Sequence, residues 1–234
     1  MQKTELGPRE RILRAAADLL TREGRDAVTT RSVSAAAAVQ PPTIYRHFGD
    51  MRQLIDDAAS LGMVEYLTEK RSRRLTDDPI EDLRGGWDSH IDFGVRNPHV
   101  YAVLYGDPRP NARPKAVVEG DAILRYLMQR IAEAGRLRVD VDRAAEMMHS
   151  ACRGVAFTLI SQLPEDRDPG LSHATREAIL AAITTEGFDD PFGDTRIATR
   201  AIALKSLLES ADTKTLSPTE AALLREWLDR LVRS

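Results

Sequence analysis

Apolar positions recur at three- and four-residue spacings along most of the chain, and no stretch alternates apolar with polar long enough to suggest a strand, so the pattern predicts an all-α protein. Pro8 opens the first predicted helix and Gly24 follows its last residue, Glu23; Ile12, Leu13, Ala16, Leu19 and Leu20 make one apolar stripe between them. Thr29 and Thr30 offer capping hydroxyls to a second short helix ending near Val39. Pro41 and Pro42 then begin a third, because the first helical turn has no intrahelical partner for the N–H that proline lacks. Ile44 and Phe48 share its inward face, while Thr43, Arg46 and His47 point elsewhere.

A long helix is predicted from Met51 to Leu75, with Leu54, Ile55, Ala58, Leu61, Val64 and Leu67 buried and a solvated charge run, Glu69 to Arg74, at its tail. Further helices are expected from about Pro79 to Asn97, where Pro98 stops the run, from His99 to Tyr105 and from Pro114 to Ala134, with a loop over residues 106–111. Val141 to Leu163 carries a long apolar stripe, and Leu171 to Ile183 a second, through Leu171, Ala174, Ala178, Ile179, Ala182 and Ile183. After a Gly- and Pro-punctuated break at residues 187–193, two last helices are expected, from Thr195 to Ser210 and from Ser217 to Leu231. Ser217-Pro218-Thr219-Glu220 is a capping box, and Leu224, Trp227, Leu228 and Leu231 are placed on one face.

At 234 residues and 42% hydrophobic content the chain can bury a substantial core. Its formal charge of −3 is unevenly spread. Residues 1–52 hold nine Lys/Arg against six Asp/Glu, a net +3, and the remainder carries −6, so the positive end coincides with the three short helices. Cys152 is the single cysteine, which excludes an internal disulfide and a cysteine-cluster metal site. No apolar signal core opens the chain, and no window approaches the roughly 18 apolar residues of a membrane helix, so a cytoplasmic protein with no membrane partner is expected. No cofactor or metal is expected.

A compact helix and turn followed by a short, polar, aromatic-tipped helix is the layout of a DNA-reading helix-turn-helix. The whole run resembles the TetR (tetracycline-repressor type) family of bacterial transcriptional regulators. The resemblance rests on Arg11-Ile12-Leu13, Ala15-Ala16, Leu19-Leu20, Gly24, Thr30, Val33, Val39, Thr43, Ile44, Tyr45, Phe48 and Leu54 at the family's spacings. Two positions depart from it: Ala38 stands where the family usually has Gly in the turn, and Met51 where it has Lys. The resemblance implies a reading head over residues 1–50 and a ligand-binding and dimerisation domain over 51–234, with the last two helices an extension. It implies a homodimer whose helices in 141–163 and 171–183 build a four-helix bundle, and a repressor released from a palindromic operator by a small effector.

Double-stranded operator DNA is the expected partner. Arg46 suits bidentate contact with guanine in the major groove, Thr43 a thymine methyl or base edge, and Gln40 and Pro41 the helix start. Tyr45 and His47 are expected at phosphates, with Thr30 and Arg31 clamping the backbone and Arg52, helped by free N–H groups at the start of the next helix, replacing the missing Lys. The resemblance further implies an effector, partly apolar in character, against Trp87, His90, Tyr101 and Tyr105, with Tyr126, Met148 and Cys152 completing the lining. Two other classes stay open: an all-α ligand-binding protein, or an enzyme with a degraded head, using His90 with Asp88 or Asp92, or His149 with Cys152. Neither pair sits in a nucleophile elbow, phosphate loop or metal motif.

Overall fold

A computed structural model of the chain describes residues 6–107, 112–186, 194–210 and 216–233. It is all-α there, with an antiparallel bridge between Leu137 and Thr184 as the one sheet-like contact among the described residues. The expected loop over 106–111 is described only at Gly106 and Asp107, and the break over 187–193 lies outside the described residues.

The chain divides into two compact units, one made of residues 1–73 and 92–120, the other of 74–91 and 121–234. The first contains α1 (Pro8–Glu23), α2 (Thr30–Ala37), α3 (Pro41–Phe48), α4 (Met51–Gly62), α5 (Val64–Ser72) and α7 (Pro98–Tyr105). Ile12, Ala16 and Leu20 of α1 are buried with Val33, Ile44, Phe48 and Leu54 from the next three helices, as their spacing requires. Gly24, at φ 87°, ends α1 and donates its N–H to the Leu20 carbonyl; the His99 imidazole lies so close that a side chain there would crowd it.

The single helix expected over 51–75 is two. At Gly62 the backbone approaches Val100 of α7, whose methyls would meet any added Cβ at 3.2 Å. Met63 then sits at φ −95°, ψ −8°, with its N–H turned to Ser60, before α5 begins. The break redirects the buried face: Met63 and Tyr66 go in, while Leu61 and Val64, expected inside, are 37% and 51% exposed. The charged tail from Arg71 to Arg74 is exposed as expected.

In the second unit lie α9 (Val141–Ile160), α10 (Leu171–Ile183), α11 (Asp194–Ser210) and α12 (Pro218–Arg233), while α6 (Pro79–Arg96) and α8 (Lys115–Glu133) contribute residues to both units. The α9 stripe holds through Val141, Ala144, Met148, Cys152, Val155 and Leu159, but the helix stops at Ile160 and Leu163 is exposed. On α10 only Ile183 of the candidate stripe is buried within the single chain. Arg176, Leu180 and Ile183 are buried and Ala174, Ala178 and Ala182 face out, because α10 meets α6 through polar groups. Trp87 donates its indole N–H to Ser172 Oγ at 2.9 Å, Arg176 pairs with Asp88 at 2.5 Å, and Arg84 pairs with Glu177 at 2.9 Å. The capping box at Ser217 forms, with Ser217 N–H donating to Glu220 at 2.8 Å. On α12, Leu228 is buried, and Trp227 and Leu231 of the same apolar face are exposed.

Candidate nucleic-acid interface

Local chemistry places α2 and α3. Thr29 caps α2 by accepting the Ser32 N–H, and the Ser32 hydroxyl accepts the Thr29 N–H and donates to the Ala27 carbonyl at 2.6 Å. Ala38 ends α2 in the left-handed region, φ 53° and ψ 52°, the only non-glycine with positive φ among the described residues. That turn delivers the chain to Gln40 and the proline-opened α3. Ile44 and Phe48 anchor α3 from below, and the Arg9 guanidinium covers the Phe48 ring at 5.0 Å while pairing with Asp57 at 3.3 Å. Arg11 fastens α1 to the end of α2 by donating to the Ala37 carbonyl at 3.2 Å.

With one side anchored, the other is left to solvent. Gln40, Pro41, Tyr45 and Arg46 are exposed and Thr43 is half-buried beside them. The Tyr45 hydroxyl lies 2.9 Å from the Thr30 hydroxyl, so the start of α2 and the middle of α3 form one polar edge. Arg31 adds an exposed cation next to Thr30. Arg46 and Thr43 thus lie beside the Tyr45 and Thr30 hydroxyls and the Arg31 cation on one solvent-facing edge. His47 is half-buried and its Nε2 has no hydrogen-bond partner among the described residues. At the start of α4 Arg52 is exposed, but the Asp50 carboxylate already accepts the Gln53 N–H at 2.8 Å, so one of the amides expected to be free for a phosphate is occupied.

The residues expected to line an effector site fall in both units. Tyr101 and Tyr105 belong to the first, buried with ring centroids 4.6 Å apart. Trp87, His90, Met148 and Cys152 belong to the second and are buried; Tyr126, also there, is 55% exposed. His90 meets the His149 ring edge-on at 6.1 Å, and the His149 Nδ1 lies 2.9 Å from an Asp121 oxygen. Asp121 and Arg9 were not legible as site residues: each acts on a group from a different helix, and neither lies in a local motif. Of the carboxylates drawn as catalytic partners, Asp88 is held by Arg176 and Asp92 by Arg96. Among the described residues no group of three or more His, Cys, Asp or Glu could hold a metal ion, and no helix is long and apolar enough to cross a membrane.

The same segment is matched by a family model, "Bacterial regulatory proteins, tetR family", over residues 12–58. The class A tetracycline repressor protein from transposon 1721 of Escherichia coli is 32% identical over 137 residues, 56% of this chain and 59% of the repressor. Among solved structures, SmeT, the repressor of the Stenotrophomonas maltophilia multidrug efflux pump SmeDEF, superposes with a TM-score of 0.57 at 22% identity, covering 82% of this chain and 96% of SmeT. A protein of unknown function from Rhodococcus sp. RHA1 gives 0.63 at 18% identity, covering 78% and 99%. These structural likenesses establish the fold, and residues 12–58, the helix-turn-helix segment, carry the likeness to the tetR family of bacterial regulatory proteins; the chain spans 59% of the length of the curated repressor that it matches.

Proposed function

We propose that the chain is a homodimeric, cytoplasmic transcription regulator that binds a two-fold symmetric operator through α3 and releases it when a small molecule binds beyond residue 50. The observation that carries this is the asymmetry of α3: Ile44 and Phe48 fully or nearly buried on one side, Tyr45 and Arg46 exposed on the other. A short helix held this way fits a major groove, and two copies related by a two-fold axis would read half-sites about one helical turn, roughly 34 to 36 Å, or somewhat more apart. Repression is the direction suggested by the tetracycline repressor and by SmeT, each named for that activity. Tyr45, Thr30, Arg31, His47 and Arg52 would hold phosphates, with His47 turning outward to do so.

For the effector, the buried Trp87, Met148 and Cys152 supply apolar contact and the His90 and His149 imidazoles polar orientation, a mixture suited to a partly apolar molecule. Release requires that the effector bind more tightly to the form that does not fit the operator; the ratio of the two affinities sets the loss of DNA binding. The outward alanines of α10, beside α9, would allow the close helix approach of a dimer.

The test is fluorescence anisotropy on the duplex that the protein selects. Arg46→Ala should weaken binding roughly 10- to 100-fold, the worth of one bidentate base contact, with the protein's mass and helicity unchanged. Unchanged affinity would remove α3 from the interface.

A further inference from the structure

The C-terminal hairpin closes over a polar cavity that none of the residues expected to hold the effector lines. Arg125 of α8, the start of α9 and the inner sides of α11 and α12 surround about 300 Å³, all within the second unit. Part of the wall is apolar: Ile202 of α11 is buried and Val232 of α12 half-buried beside it. The charges are lopsided, with four carboxylates, Asp140, Asp142, Glu209 and Asp229, against two cations, Arg125 and Lys205. Both cations are already taken. Arg125 pairs with Asp142 at 2.7 Å and Lys205 with Asp229 at 2.6 Å. Asp140 caps α9 by accepting the Arg143 N–H at 2.9 Å, which uses one of the several lone pairs of its carboxylate. Glu209 attracts Arg125 through space alone.

Ser206 is a separate, neutral feature of the same wall. The residue is 3% exposed and lines the cavity. Its carbonyl accepts Gln129 and Ser210, while its hydroxyl has no hydrogen-bond partner among the described residues. A buried hydroxyl left unpaired costs free energy, which a polar group entering the cavity recovers.

We propose that this cavity is a second ligand site, for a short aliphatic diamine whose two ammonium groups meet Asp140 and Glu209, with one N–H donated to the Ser206 hydroxyl and the methylenes lying against Ile202 and Val232. Charge argues for a cation. The carboxylates are in excess by two, and an anion would have to break an ion pair to reach Arg125 or Lys205. Extent argues for an organic one. Among the described residues no three acidic, His or Cys side chains could hold a metal ion, whereas Asp140 at the start of α9 and Glu209 near the end of α11 suit charges held apart by a chain. Size argues for a small one, since about 300 Å³ is at the lower end of ligand pockets. The site depends neither on the DNA reading of α3 nor on the effector residues.

Isothermal titration calorimetry of the full chain decides it, with diaminobutane as ligand and butylamine and succinate as controls. The expected result is saturable binding of one diaminobutane per chain, with butylamine weaker by about tenfold or more and succinate without effect. The double variant D140N/E209Q should weaken diaminobutane by about tenfold or more; asparagine keeps the cap of α9, and Glu209 is exposed, so circular dichroism should be unchanged. Ser206→Ala, which removes only the hydroxyl, should weaken it roughly threefold to tenfold. No saturable heat at millimolar diaminobutane overturns the proposal. So does an affinity that neither D140N/E209Q nor Ser206→Ala changes, which places the diamine on the general acidic surface. Succinate binding in place of diaminobutane makes the cavity an anion site and overturns it equally.

Discussion

Ala38 carries a cost that its position explains. An L-residue in the left-handed region brings its Cβ against the following carbonyl, at about 1 to 2 kcal/mol. The turn from α2 to α3 needs that conformation to set the angle of α3, and glycine would adopt it without the clash. Glycine also has more freedom to lose on folding, so the two effects partly offset. Ala38→Gly should stabilise the chain by about 0.5 to 1 kcal/mol in urea unfolding; a destabilised variant would show that the Ala38 methyl makes contacts worth more than the strain. The resemblance to the tetR family already singled out this position, as the one in the turn where glycine is usual. It did not identify the Tyr45 and Thr30 hydroxyls as neighbours, since fifteen residues separate them and their meeting depends on the angle that Ala38 sets. Nor did it show that Asp50 would occupy the Gln53 amide, although both residues lie within the expected helix start.

At the scale of elements, prediction from periodicity succeeded wherever a helix buries an apolar stripe against apolar neighbours, as α1, α3 and α9 do. It did not show the inward face of α10, where buried Arg176 is held by Asp88 and Glu177 while the alanines are turned out. A pattern of apolar spacing does not register an interface made of ion pairs. It failed between α4 and α5, where the close approach of Gly62 to Val100, 38 positions on, redirects the stripe. The α6–α10 contact has its own signature in pH. Hydrogen bonding from Arg84 outweighs the opposing effect of burial and, with Arg176, lowers the Glu177 carboxyl from 4.5 to about 2. A carboxylate lowered on folding stabilises above its unfolded value and loses that contribution as pH falls through its folded one. Glu177→Gln should therefore cost about 1 to 2 kcal/mol at pH 7, and the gap from wild type should close between pH 4.5 and about 2. A gap that persists unchanged at pH 2 would mean that the side chain's packing, not its charge, holds α10.

At the scale of the molecule, charge and shape point the same way. The net +3 of residues 1–52 against −6 elsewhere draws a polyanion to the three short helices and repels it from the rest. Arg31, Arg46 and Arg52 are exposed there, and Tyr45 and Thr30 supply hydroxyls between them. That combination predicts binding that is both sequence-selective, through α3, and salt-dependent, through phosphates. The most direct test is selection of bound duplexes from a random library by the full chain, followed by affinity measurements on the winner at two salt concentrations. The account predicts an inverted repeat whose half-sites lie about one helical turn or slightly more apart, with affinity falling steeply as salt rises. Enrichment of no sequence, with weak binding indifferent to the Arg46→Ala change, would contradict it.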